Sequence, residues 1–298
     1  MRTALLIAAT CAIFCCHGLK KVVIPAVYKE WSQGAPAWLH DTAIHEKYNF
    51  STFVYQKLNS SAPNYIAINR GTEGAVYLRY IVDHYDSLPD IMIFLHGRPE
   101  DHQPHWLEMV GCIHPNASYI NINFQNACRT TSNWAPIEVW VEQCWRDVLK
   151  IVWGLENDTA ALNRLVPTSG PILICFTLAQ QFVISRSQVR KRPLEVWKKL
   201  LKIIGEQPAC HLGEPDYNNL FASLKHPDTQ RLGPEPSSLL AWKDLPNKGY
   251  GAHTQGGAME HLAHVIFGHY NLDMDYPSPD YICSNFLANC HLSPCVKR

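Results

Sequence analysis

Residues Ile66–His105, IAINRGTEGAVYLRYIVDHYDSLPDIMIFLHGRPEDHQPH, decide the fold. The run Ile66–Asn69 is short and apolar and reads as a buried strand. Asn69–Gly74 is a turn that carries Gly71 and Gly74. From Ala75 to Tyr85, apolar Val76, Tyr77, Tyr80, Ile81 and the His84–Tyr85 pair recur at spacings of three and four, which predicts an amphipathic helix. Leu88-Pro89-Asp90 stops that helix, because proline cannot continue it. Ile91–Leu95 is a second buried strand and delivers His96-Gly97 to its carboxyl end. Strand, turn, helix and strand in this order build a parallel sheet, and ligands of such sheets bind beyond the carboxyl ends of the strands. The Asn69–Gly74 turn and the His96–His105 loop then open on one face. A helix N-terminus behind a glycine turn offers free N–H groups to an anion such as a diphosphate. In the plainer reading, Gly71 and Gly74 only make the turn possible.

The chain has 298 residues, enough for a large core. Hydrophobic residues at 47% and charged residues at 17% describe a globular protein, and 26 basic against 26 acidic residues give no net charge to attract nucleic acid or an acidic membrane. Nine tryptophans and thirteen tyrosines serve either a well-packed core or aromatic pockets for sugars.

The N-terminus predicts secretory entry. Met1-Arg2 precedes an uncharged run, Thr3–Leu19, with small residues near Cys15–Gly18, so residues 1–18 read as a signal peptide and 19–298 as a single α/β domain. A retained signal anchor is the strained alternative, since a span needs roughly 20 apolar residues. Four N-x-Ser/Thr sequons begin at Asn49, Asn59, Asn116 and Asn157. Eight cysteines follow the signal, at 112, 128, 144, 175, 210, 283, 290 and 295. That even number predicts disulfides, with Cys283, Cys290 and Cys295 stapling a C-terminal tail over 269–298. No CxxC pair is present to build a zinc ribbon. A secreted or lumenal protein of the ER or Golgi, with no stable membrane span beyond the signal, is expected.

Further elements follow in order. Val22–Val27 is a strand with Pro25 at an end, and Phe50–Tyr55 and Tyr119–Phe124 are others. Ile137–Leu155 is an amphipathic helix with Pro136 in its first turn. Ile172–Cys175 is a short buried strand. Ser185 is an N-cap for a helix over Arg186–Arg192, and Pro193 opens the next helix. Residues 208–246 read as a surface excursion and Asn247–Gly257 as a glycine-rich loop. A helix over Ala258–Phe267 carries Glu260, His261 and His264.

Several chemistries are excluded by absent motifs. The nucleophile elbow G-x-S-x-G, the zinc helices HExxH and HxxEH, the P-loop and the GxGxxG fingerprint are all missing. What remains is the loop with His96, Glu100, Asp101, His102 and His105. Of these, His96, Asp101, His102 and His105 are candidate ligands for a divalent manganese or zinc ion. The plainer reading is a polar surface loop.

The blocks Asn69-x-Gly71-x-Glu73, Tyr77-Leu78-x-Tyr80-Ile81, Tyr85-Asp86, Leu88-Pro89-Asp90 and Phe94-Leu95-His96-Gly97 occur in an order that resembles the domain-of-unknown-function family 3431. Gln181-Phe182-x-x-Ser185-Arg186, Arg192-Pro193, and Glu260 with His264-x-Ile266-Phe267-Gly268 are similar to its later blocks, so the likeness runs from Val22 to about Gly268. The same blocks resemble, more weakly, nucleotide-sugar glycosyltransferases of the GT-A type. That likeness implies a single domain with a mainly parallel, Rossmann-like sheet flanked by helices. It also implies transfer from a nucleotide sugar to a glycan or other hydroxyl acceptor. Asn69, Arg70, Gly71 and Glu73 would then hold the diphosphate, with Arg70 or Arg186 offsetting its charge. Glu260 would be the base, with His96 and His264 as alternatives. Two positions depart from the pattern: no D-x-D follows Ile91–Leu95, and Ala263 stands where the family has tryptophan. Two other functions remain open, a non-catalytic glycan-binding domain and a metal-dependent hydrolase using the His96–His105 loop.

Overall fold

The computed structural model describes residues 18–32, 34–57, 59–67, 71–123, 126–130, 136–166, 173–177, 179–207, 250–268 and 283–287. All of the predicted signal peptide but Gly18, the 208–246 excursion and most of the C-terminal tail lie outside them.

A six-stranded sheet forms the centre. Its strands are β1 (Lys21–Val27), β2 (Ser51–Thr52), β3 (Tyr55–Gln56), β4 (Ile91–His96), β5 (Tyr119–Asn121) and β8 (Phe182–Ser185), ordered β2-β1-β4-β8-β5 with β3 also paired to β1. A separate antiparallel pair joins β6 (Asn126–Thr130) and β7 (Leu173–Thr177). β2, β3 and β4 run parallel to β1, whereas β8 runs antiparallel to both β4 and β5. The sheet is therefore mixed, not mainly parallel as expected. Phe182–Ser185 is an apolar run, which signals burial but not direction, and it returns beside β4 between two strands of the opposite sense.

Alternation along the strands divides the core. Val22, Ile24, Ala26, Met92, Phe94, Phe182 and Ile184 face one cluster, while Val23, Ile91, Ile93, Leu95 and Val183 face the other. Successive side chains of a strand point to opposite faces, so strands that are apolar at every position demand cover on both sides. The helices α2 (Thr72–His84), α4 (Pro136–Trp153), α7 (Leu194–Leu201) and α8 (Tyr250–Ala263) cover the first face. The second is covered by α1 (Thr42–Tyr48), α3 (Trp106–Gly111) and the single turn Ala37–Leu39. Two short helices complete the set, α5 (Thr159–Leu165) and α6 (Arg186–Val189), the latter N-capped by the Ser185 hydroxyl as predicted.

Two local expectations are corrected. Ile66–Asn69 is not a strand in its described part. Tyr65 makes one isolated bridge to Gln56, the Ile66 N–H donates to Gln56 O at 2.9 Å, and the parallel pairing with β1 is made by Tyr55–Gln56 instead. Asn247–Gly257 is not a loop from Tyr250 onward, because α8 begins there. Glycine disfavours helix, but at Gly256 an added Cβ would lie 2.6 Å from Thr72 Oγ1, so only glycine allows α8 to approach α2 this closely. Gln255 fixes the same turn by donating to Ile203 O at 2.6 Å and Gln207 O at 3.0 Å. Among the described residues no helix is long and apolar enough to cross a membrane.

Candidate functional site

The parallel pairing of β1, β3 and β4 carries their carboxyl ends to one edge, with Ala26 opposite His96 and Val27 opposite Gln56. Three charged or polar groups leave the sheet there: Glu30 after β1, Lys57 after β3 and His96 at the end of β4. Lys57 Nζ donates to the carbonyl of Thr72, the first residue of α2, and so brings Glu73 beside them. Thr72 itself holds φ +46°, a costly backbone for a β-branched residue. Gly71 before it, at φ +60°, is the glycine this turn requires, since an added Cβ would lie 2.5 Å from Ile204 O.

Burial and charge oppose one another in this cluster. Burial pulls the Lys57 ammonium down to about 8 against the attraction of Glu73 and Glu30. It also pushes the Glu73 carboxyl up, but the His96 ring, the Glu73 N–H, the Thr72 hydroxyl and Lys57 outweigh it and hold the carboxyl below its ordinary value. For His96, burial is the largest effect and His102 adds to it, so the imidazole lies below its usual value although Glu73, Glu30 and Asp101 pull the other way. His96 Nε2 is buried and has no hydrogen-bonding partner among the described residues. A neutral imidazole with a bare nitrogen beside a carboxylate can take a proton from a hydroxyl.

Hydrogen bonds fix this edge. Gln181, fully buried, accepts from the His96 N–H at 3.1 Å and donates to Asn123 Oδ1 at 2.9 Å and Pro99 O at 3.3 Å. It thereby joins the ends of β4 and β5. The Trp31 indole N–H donates to Gly97 O at 2.6 Å, and Arg98 donates to Glu30 O from Nε and Nη2 at 3.2 and 2.9 Å. A side chain at Gly97 would press on Glu30 Cβ at 3.1 Å.

The sequence-predicted residues divide. His96, Gly71 and Glu73 meet at this edge, while Asn69 and Arg70 lie outside the described residues. Glu260 is nearby through α8, but its carboxylate accepts the Ala179 N–H at 2.9 Å, at a residue held at φ +54°. His264 is one helical turn further on, buried in the core and past the end of α8. Arg186 is not brought to the site. It pairs with Asp90 Oδ1 at 2.7 Å, at the amino end of β4 and so roughly 20 Å along the strand from His96. Asp101, His102 and His105 are exposed, and the His102 ring meets His96 edge-on at 4.7 Å. Among the described residues no three His, Cys, Asp or Glu side chains are grouped to share an ion. The first turn of α2 is also closed to a diphosphate on two sides, by Ile204 at Gly71 and Gly256 at Thr72, while Glu73 takes its own N–H.

Glu30, Lys57 and Gln181 escaped sequence reasoning. Glu30 and Lys57 each follow a strand within three residues, the position at which parallel sheets place ligand-contacting groups, and that signal was available. Gln181 carries no comparable local signal.

The model of a family described as "Protein of unknown function (DUF3431)" matches residues 22–214, more than half of the chain, and ends before α8. No curated protein and no solved structure matches.

Proposed function

The chain belongs to the DUF3431 family of proteins of unknown function, and from that premise we propose that it is a secretory-pathway enzyme of the glycosyltransferase type, centred on His96. The observation that carries this reading is the buried His96 Nε2, without a hydrogen-bonding partner among the described residues, beside Glu73 at the carboxyl edge of the sheet. Nε2 takes the proton of the acceptor hydroxyl as its oxygen attacks the anomeric carbon of a nucleotide sugar. The bond to the nucleotide diphosphate breaks, and the diphosphate leaves with the electron pair. Glu73 and Glu30 stabilise the imidazolium that forms, and Lys57 balances the two carboxylates before reaction. The geometry supports the acceptor half; the donor half rests on the likeness of the ordered sequence blocks. Support for the compartment comes from Asn49, Asn59, Asn116 and Asn157, which are all exposed. It comes also from the Cys283 segment, which lies against Cys112 through Leu287 N–H to Cys112 O at 2.8 Å and an Ile113–Phe286 bridge.

One observation favours a second reading, a non-catalytic glycan-binding domain. The first turn of α2, where a diphosphate was expected, is filled by Glu73 and covered by Ile204 and Gly256. Nucleotide release from a panel of nucleotide sugars, with and without manganese, separates the two. Release by the secreted protein in the presence of hydroxyl acceptors is expected. Folded protein that releases nothing and gains no thermal stability from any donor belongs to the second reading. A donor at about 100 times its dissociation constant adds roughly 2.7 kcal/mol, so binding without turnover is visible as well.

A further inference from the structure

Trp31 follows the turn out of β1 at the same edge as His96. Its N–H is committed to Gly97 O at 2.6 Å, and its ring meets Trp38 edge-on at 6.1 Å, which in turn packs on Trp106 at 4.9 Å. The neighbouring Glu30 is held just as firmly. One carboxylate oxygen accepts the Tyr28 N–H at 2.6 Å, and its carbonyl accepts both Arg98 bonds. These contacts join the turns after β1 and β4 into one rim, on which the indole stays partly exposed. A ring fixed in advance loses little conformational freedom when a ligand stacks on it.

Charge indicates what would stack there. Glu30, Glu73 and Asp101 all act on His96, and Glu100 is exposed on the same loop. Of the cations at this rim, Arg98 and Lys57 already donate to Glu30 O and Thr72 O, and Lys29 beside Glu30 is exposed. A phosphate-bearing or otherwise anionic ligand meets carboxylates here, whereas a neutral sugar ring meets an apolar plate for its C–H face and acceptors for its hydroxyls. We propose that Trp31 and Glu30 form a subsite for a neutral carbohydrate, which stacks on the indole and donates a hydroxyl to the Glu30 carboxylate beside His96. The subsite deepens the acceptor half of the function above and rests on it, and it needs no donor nucleotide.

A microarray of neutral, sialylated and sulfated oligosaccharides, probed with the secreted protein, is the test. The expected result is retention of a set of neutral glycans, about tenfold weaker for Trp31→Ala and largely kept by Trp31→Phe, which preserves the ring but loses the N–H bond. Glu30→Gln, close in shape, is expected to weaken the same glycans and serves as the second variant if Trp31→Ala fails to fold. Equal retention by folded Trp31→Ala, a preference for sulfated or sialylated chains, or no retention by the folded wild-type protein would each overturn the subsite. Neutral-glycan retention without nucleotide release would leave the subsite standing and remove the transferase.

Discussion

Lys21 is the second lysine that the fold buries. Its ammonium donates to Val110 O at 2.8 Å, and burial lowers it to about 8, as burial lowers Lys57. Both have folded values below the ordinary 10.5, so between about pH 8 and 10.5 the unfolded chain binds more protons than the native one. The cost of the buried charge is fully present below pH 8 and is relieved as pH rises through that window. Tyr55 and Tyr80 act oppositely. Burial raises both, with a hydrogen bond to Asp83 adding to the shift of Tyr55, and native protein loses stability as unfolded tyrosine ionises above about pH 10. The urea midpoint is therefore predicted to rise from pH 8 towards 10 and to turn down beyond it, with a smaller rise in Lys21→Met. A midpoint that falls steadily from pH 8 would show that these lysines are not desolvated. None of this was legible in sequence: Lys21 opens an apolar strand and Lys57 follows one, and neither position announces burial.

At the scale of elements, legibility followed periodicity. β1, β4, α2 and the long helix α4 were read within a few residues because alternation and three-four spacing are local properties. β8 was not read as a strand, and the helical state of Tyr250–Gly257 was missed, because partners distant in sequence settle them: β4 and β5 for the first, Thr72 and Ile203 for the second. Gln181 belongs to this scale as well, since its three hydrogen bonds hold β4, β5 and the Pro99 turn together. Gln181→Leu keeps the volume but leaves the His96 N–H, the Asn123 carboxamide oxygen and the Pro99 carbonyl each short of this bond. It is expected to destabilise by about 2 kcal/mol or more, read as a lower denaturant midpoint. A change under roughly 0.5 kcal/mol would mean that water replaces it without penalty.

Across the whole molecule, the edge carrying Glu30, Lys57, Glu73 and His96 is assembled from four segments, Tyr28–Trp31, the end of β3, the start of α2 and the end of β4. Sequence reading found two of the four, because the turn before α2 and the loop after β4 lie in one contiguous stretch. The other two needed the pairing of β3 and β4 on either side of β1. The compartment is testable at the same scale. Protein collected from the medium of a eukaryotic host should lose mass on enzymatic deglycosylation, and replacing Asn49, Asn59, Asn116 and Asn157 by Gln should abolish that loss. An unchanged mass for the wild type would remove the secretory reading.

The reaction turns on one nitrogen, and nucleotide release by His96→Gln against wild type, on the best donor and acceptor, tests it. Turnover is expected to fall by about 10²–10⁴, the usual contribution of a general base, with the thermal midpoint and donor affinity little changed. Turnover within a few-fold of wild type, in folded protein, would take His96 out of the reaction.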